Sequence, residues 1–254
     1  MSPKWKNILH LSSAMLVFVS VLFYSKWSYA DMKCQRIEID FNNKLLDQSF
    51  LVRKDVIDML YEKDFKLVGK QIKALDQEKL EAFLENNPHC KNVEVYTSLD
   101  GISEIAIEEK QALLRCFDNK VSYYLDLEGN YLPLSKHYYE SVLVVSGNIK
   151  FLKNKDLKGD KLEFKEELIE MAHFIRTNEL WDAQIQQLNV DENLEVVVIP
   201  RLGNHNIELG KIYGFKEKLA KLEIFYREGL KYTGWGQYSN INLRFKNQVV
   251  CTKK

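Results

Sequence analysis

Between Cys34 and Lys110 the hydrophobic period passes from two to about 3.6 and back to two, an order that specifies a β-α-α-β-β unit. Arg36 to Phe41 alternates, setting Ile37, Ile39 and Phe41 on one face as in a half-buried strand. Val52, Val56 and Leu60 then recur at helical spacing. Asp76 is placed to open a second helix. Its short side chain can accept from an orphan amide of the first turn, while Leu75 and Leu80 occupy the two positions of a hydrophobic staple. Leu80, Phe83 and Leu84 form its apolar face. Asn87-Pro88 ends it, because the residue before proline disfavours the helical region. Val93 and Val95 begin the next strand, Asp100-Gly101 signals a turn, and Ile105 and Ile107 alternate in the returning strand. The predicted core of the unit is Leu80, Phe83, Leu84, Val93, Val95, Ile105 and Ile107.

Beyond Gln111 the strand signals become denser. Tyr123–Asp126 and Tyr131–Leu134 flank Glu128-Gly129-Asn130 as a hairpin, and Val142–Ser146 is a short apolar strand. Phe164, Leu168, Met171, Ala172 and Ile175 mark an amphipathic helix. Ile185–Val190 and Leu194–Ile199 flank Asp191-Glu192-Asn193 as a second hairpin. Phe215, Leu219, Leu222 and Tyr226 mark another helix, with Gly229 as its expected C-cap. Ile241, Leu243 and Phe245 alternate in a penultimate strand, and Val249 to Cys251 follows. The whole predicts an α+β chain: residues 1–30 a short cytoplasmic N-terminus and anchor, 31–111 the first domain, and 112–254 a mixed β-sheet domain with helices packed on it.

The anchor is expected from Ile8–Tyr24, an uncharged apolar run preceded by Lys4 and Lys6 and flanked by Trp5 and Trp27. A cleaved signal peptide is the alternative, since Ser28 and Ala30 are small residues at the two positions a signal peptidase reads. On the anchor reading the protein crosses the membrane once, and the bulk of the chain lies outside the cytoplasm.

Little in the sequence carries chemistry. The five histidines, at 10, 89, 137, 173 and 205, never pair at helical metal spacing. No nucleophile elbow, phosphate-binding loop or dinucleotide fingerprint occurs. With 36 basic and 36 acidic residues, no cationic excess exists to hold a nucleic-acid backbone. Catalytic residues, metal and cofactors are therefore all expected to be absent. Cys34, Cys90, Cys116 and Cys251 allow three disulfide pairings, with buried free thiols as the alternative.

Several stretches, in consistent order, resemble the FtsQ/DivIB cell-division family in its Bacteroidetes-type form. The β-α-α-β-β unit looks like a POTRA domain. Asn87-Pro88-His89-Cys90-Lys91-Asn92-Val93-Glu94-Val95-Tyr96 resembles the family's helix end and second POTRA strand, and Tyr124-Leu125-Asp126 through Gly129 to Pro133 resembles its hairpin. Val144-Val145-Ser146-Gly147 and Ile241-Asn242-Leu243-Arg244-Phe245 resemble later strands. Ala112 stands where the family usually carries proline, which implies a less rigid domain junction.

The resemblance implies a non-enzymatic, bitopic scaffold of the bacterial inner membrane and division septum, with most of the chain in the periplasm. Such a scaffold links early division proteins to septal peptidoglycan synthesis. Its implied partners are FtsB- and FtsL-like division proteins, which add a strand to the late region, and further division proteins at the POTRA domain. The residues matched to that contact are Phe245, Asn247, Gln248, Val249, Val250 and Cys251. Phe245 is either the aromatic contact or a core residue. The alternative function is a POTRA-containing chaperone or assembly module for outer-membrane or secreted proteins.

Overall fold

The computed structural model describes residues 12–24, 32–42, 49–98, 100–118, 121–139 and 141–254. The chain divides into two compact units, Met1–Glu109 and Lys110–Lys254.

The expected transmembrane helix is corrected first. Among the described residues the N-terminal helix, α1, comprises residues 12–24. Among the described residues no helix is long and apolar enough to cross a membrane. Trp5, Trp27 and the start of the apolar run at Ile8 lie outside the described residues. The single-pass topology, the inner-membrane and septal location and a bulk held in the periplasm were expected together with such a helix, and no helix among the described residues supports them.

Unit 1 contains β1 (Arg36–Phe41), α2 (Arg53–Glu62), α3 (Gln77–Glu85), β2 (Cys90–Thr97) and β3 (Ile102–Glu109). The sheet order is β1-β3-β2, with β1 parallel and β2 antiparallel to the central β3. Asp76 caps α3 by accepting from the Lys79 amide at 3.1 Å. Leu80 and Leu84 of α3 and Val56 and Leu60 of α2 are buried against Val93, Val95, Ile105 and Ile107, with Phe83 packed at the margin. Each helix thus hides one stripe and the sheet one face, as a two-layer unit requires.

Unit 2 is built on a nine-stranded sheet. Its strands are β4 (Ala112–Asp118), β5 (Val121–Asp126), β6 (Tyr131–Leu132), β7 (Leu143–Gly147), β8 (Ile185–Val190), β9 (Glu195–Pro200), β10 (Asn206–Lys211), β11 (Tyr238–Asn242) and β12 (Val250–Lys253). The order is β12-β11-β10-β9-β8-β7-β4-β5-β6. Helix α4 (Asp160–Thr177) buries Phe164, Leu168, Met171, Ala172 and Ile175, and the short α5 (Glu179–Gln184) follows it. Helix α6 (Phe215–Ile224) buries Phe215, Leu219 and Leu222. Both pack on a core that takes Cys116, Val145, Leu188, Val198, Ile207 and Ile241 from successive strands. Alternate residues such as Arg115, Phe117, Gln187, Val197 and Glu208 stand on the opposite face, exposed or half-buried.

Three local expectations change. Gly229 does not cap α6. The helix runs on through a π-helical turn, Phe225–Leu230, into α7 (Lys231–Thr233), and stops at Gly234 with φ +82°. The alternation over Ile241, Leu243 and Phe245 does not make one strand, because β11 ends at Asn242. All four cysteines are free, three of them buried, which leaves them as small apolar core residues and no disulfide among them.

Candidate functional site

The last two strands create the candidate site. β11 pairs parallel with β10, setting Asn206, Ile207 and Glu208 opposite Asn240, Ile241 and Asn242. β12 folds back antiparallel, with Asn242, Ile241 and Asn240 opposite Val250, Cys251 and Thr252. A bulge at Ser239 shifts the register near the end, where the Ser239 hydroxyl donates to the Thr252 carbonyl at 3.2 Å. β12 is the outermost strand, bonded to β11 alone. Its other side therefore offers backbone N–H and C=O groups to another chain. Among the described residues no side chain accepts a hydrogen bond from the N–H groups of Val250–Lys253.

Polar anchors hold this end of the sheet. The Glu208 carboxylate accepts from Asn242 Nδ2 at 2.6 Å and from Asn240 Nδ2 on its other oxygen. Arg244 bridges Glu195 at 2.9 Å and reaches Glu208 at 3.5 Å. On the helix side, Lys221 Nζ of α6 donates to the carbonyls of Leu243 at 3.4 Å and Lys246 at 3.3 Å, and also to Phe245, tying down the β11–β12 turn. Nothing in the sequence flagged Glu208 or Lys221, which act through partners more than twenty residues away.

The six sequence-matched residues fall in two settings. Phe245 and Asn247 lie in the turn, exposed, and Phe245 keeps 47% of its surface accessible, so it is not a core residue. Gln248 is exposed and Val249 packs against the core edge. Val250 and Cys251 are in β12. The Val250 side chain is exposed, while Cys251 packs against the core and burial raises its thiol pKa. The structure thus brings Val250 and Cys251 into an edge strand and leaves Phe245 beside its entrance.

A separate aromatic group lies at the far end of these strands. His205 is buried, stacked on Trp235 with ring centroids 6.4 Å apart, and its Nε2 is 3.5 Å from the Tyr226 hydroxyl. Burial lowers the His205 pKa from its ordinary value and raises that of Tyr226. Among the described residues no group of three His, Cys, Asp or Glu could hold a metal ion.

The open edge of β12 is a surface to which another chain's strand can add. Both units match family models. Residues 111–252 match the model described as "FtsQ/DivIB, C-terminal related", and residues 32–108 match the POTRA-like domain. The first match covers more than half of the chain, and the chain belongs to the FtsQ/DivIB C-terminal related family. A search of curated proteins returns no match. Both matched domains are of non-catalytic type.

The partner expectations are corrected alongside the topology. Attachment to the inner membrane through one helix has no support among the described residues. The bitopic division scaffold that would join membrane-bound FtsB- and FtsL-like proteins depended on that attachment. Protein–protein contact through the POTRA-like unit and the family-matched domain remains supported.

Proposed function

We propose that this chain is a non-catalytic, POTRA-containing assembly module that holds an extended segment of a client protein, of the outer-membrane or secreted kind. The observation that carries the reading is the unpaired outer side of β12, a strand whose inner side is fixed by β11 and whose amides no side chain covers. The client segment adds as a further strand, with main-chain hydrogen bonds supplying affinity and alternate side chains supplying selectivity. Val250 and Cys251 provide the ladder, Val249 and Gln248 extend it toward the turn, and Phe245 with Asn247 contacts the client at the strand's start. Thr252, Lys253 and Lys254 end the strand with polar and cationic groups, which discourage unselective edge pairing.

The test uses the full chain and a fluorescent, unstructured probe peptide of alternating Val and Thr. Val250→Pro removes one backbone donor, and Val250→Asp places a charge on the same exposed position. Both variants are expected to weaken probe binding at least tenfold while thermal melting of the chain stays close to that of the parent. Unchanged binding by the folded Asp variant would show that the client is held elsewhere.

A further inference from the structure

The sheet of unit 1 also ends in an unpaired strand, β2, beside the central β3. That edge is not open. The Val95 amide donates to the Glu81 carboxylate at 2.7 Å, and the Val93 amide donates to the Glu85 carboxylate at 3.3 Å. Both acceptors come from α3, the helix whose Leu80 and Leu84 pack beside Val93 and Val95 in the core.

The match has a simple geometric origin. Four residues of α-helix rise about 6 Å, and two residues of strand advance about 6.6 Å. Carboxylates at i and i+4 on one helical flank therefore fall opposite amides at j and j−2 of a strand running antiparallel to the helix. Val93 and Val95 share one side of the ladder, because amides of alternate residues point the same way in an antiparallel strand. The two glutamates stand where the carbonyl oxygens of an added strand would stand. Charged acceptors make stronger hydrogen bonds than neutral carbonyls, so an incoming backbone competes poorly for these amides.

We propose that Glu81 and Glu85 of α3 close the β2 edge of the POTRA-like unit to strand addition, so that this unit does not accept an extended segment unless the two carboxylates are displaced. The occupant they exclude is an extended peptide backbone, whether from a client or from a second copy of this chain. The inference concerns unit 1 alone and holds whether or not β12 binds a client.

Amide hydrogen exchange on the full chain tests it, with and without the alternating Val-Thr peptide. In the parent, the Val93 and Val95 amides are expected to be protected and unaffected by the peptide. In Glu81→Ala/Glu85→Ala, both should exchange roughly tenfold faster or more, and the peptide should restore their protection. Glu81→Gln/Glu85→Gln keeps an acceptor oxygen at each position and should behave as the parent. Glu85 is exposed, so Glu85→Ala alone leaves the fold intact and should release the Val93 amide even if the double variant does not fold. Parent-like exchange of Val93 in folded Glu85→Ala, or peptide-induced protection of Val93 and Val95 in the parent, would overturn the proposal.

Discussion

Glu109, at the end of β3, is 2% exposed and accepts from the Ser49 hydroxyl at 2.6 Å, the Leu51 amide at 2.7 Å and the Phe50 amide at 3.3 Å. These bonds fasten the approach to α2 onto the sheet. A buried carboxylate is tolerable only with such partners, and its removal strands two backbone donors. Glu109→Ala is expected to cost about 3 kcal/mol in urea unfolding. His205 is the second residue with a measurable signature. Burial, with the charge of Lys254 adding to it, holds its pKa below the ordinary 6.5. Above that value the imidazole is neutral in both states and its contribution is complete. As pH falls through it, the unfolded chain takes up the proton first and stability is lost, until the folded-state pKa is also passed. His205→Phe keeps an aromatic ring beside Trp235 and cannot titrate, so its stability should fall less than the parent's between about pH 6.5 and 5. Parallel pH profiles would show that the fold leaves the His205 pKa unchanged, against the burial argument.

At the scale of elements, α3 illustrates what sequence reveals well. A capping aspartate, a staple and an apolar stripe are all local signals, and all three describe the same nine residues. Leu84 is 1% exposed, and Leu84→Ala is expected to cost about 2–5 kcal/mol. A loss below about half a kcal/mol would contradict its burial. The turn after α6 illustrates the opposite. Glycine after an amphipathic helix reads as a stop, yet Gly229 lies inside the π-turn because the Phe225 ring needs the space. A Cβ there would meet Phe225 Cδ2 at 2.9 Å. Gly229→Ala should therefore destabilise by about 1–2 kcal/mol, against the gain of about 1 kcal/mol that helix propensity alone favours. β4 and β10 escaped the sequence reading although Ile207 and Leu209 alternate, because the run of buried Ala112, Leu113 and Leu114 breaks the alternation in β4 and a bulge before Gly210 breaks it in β10. Phe245 misled for a related reason. Its spacing continues the alternation past Asn242, but Lys221 draws the chain into a turn there.

At the scale of the whole molecule, the proposed function turns on the backbone edges of the two sheets. The units treat their edges differently. Unit 1 covers its β2 amides with side chains from α3, and unit 2 leaves β12 uncovered at the end of nine strands. The domain classes were legible in the sequence because hydrophobic period and turn residues report on each element singly. The site was legible only in outline, since an edge is a property of strand order, and strand order depends on pairings between distant segments. The reading of the N-terminal run as a spanning helix is not supported at this scale either: among the described residues no helix is long and apolar enough to cross a membrane. The central claim, that an extended client segment adds to β12, is tested most directly by amide exchange of the full chain with and without the alternating Val-Thr peptide. The account predicts new protection within Val250–Lys253 and none at Val93 or Val95. Protection confined to other segments, with β12 unchanged, would contradict it.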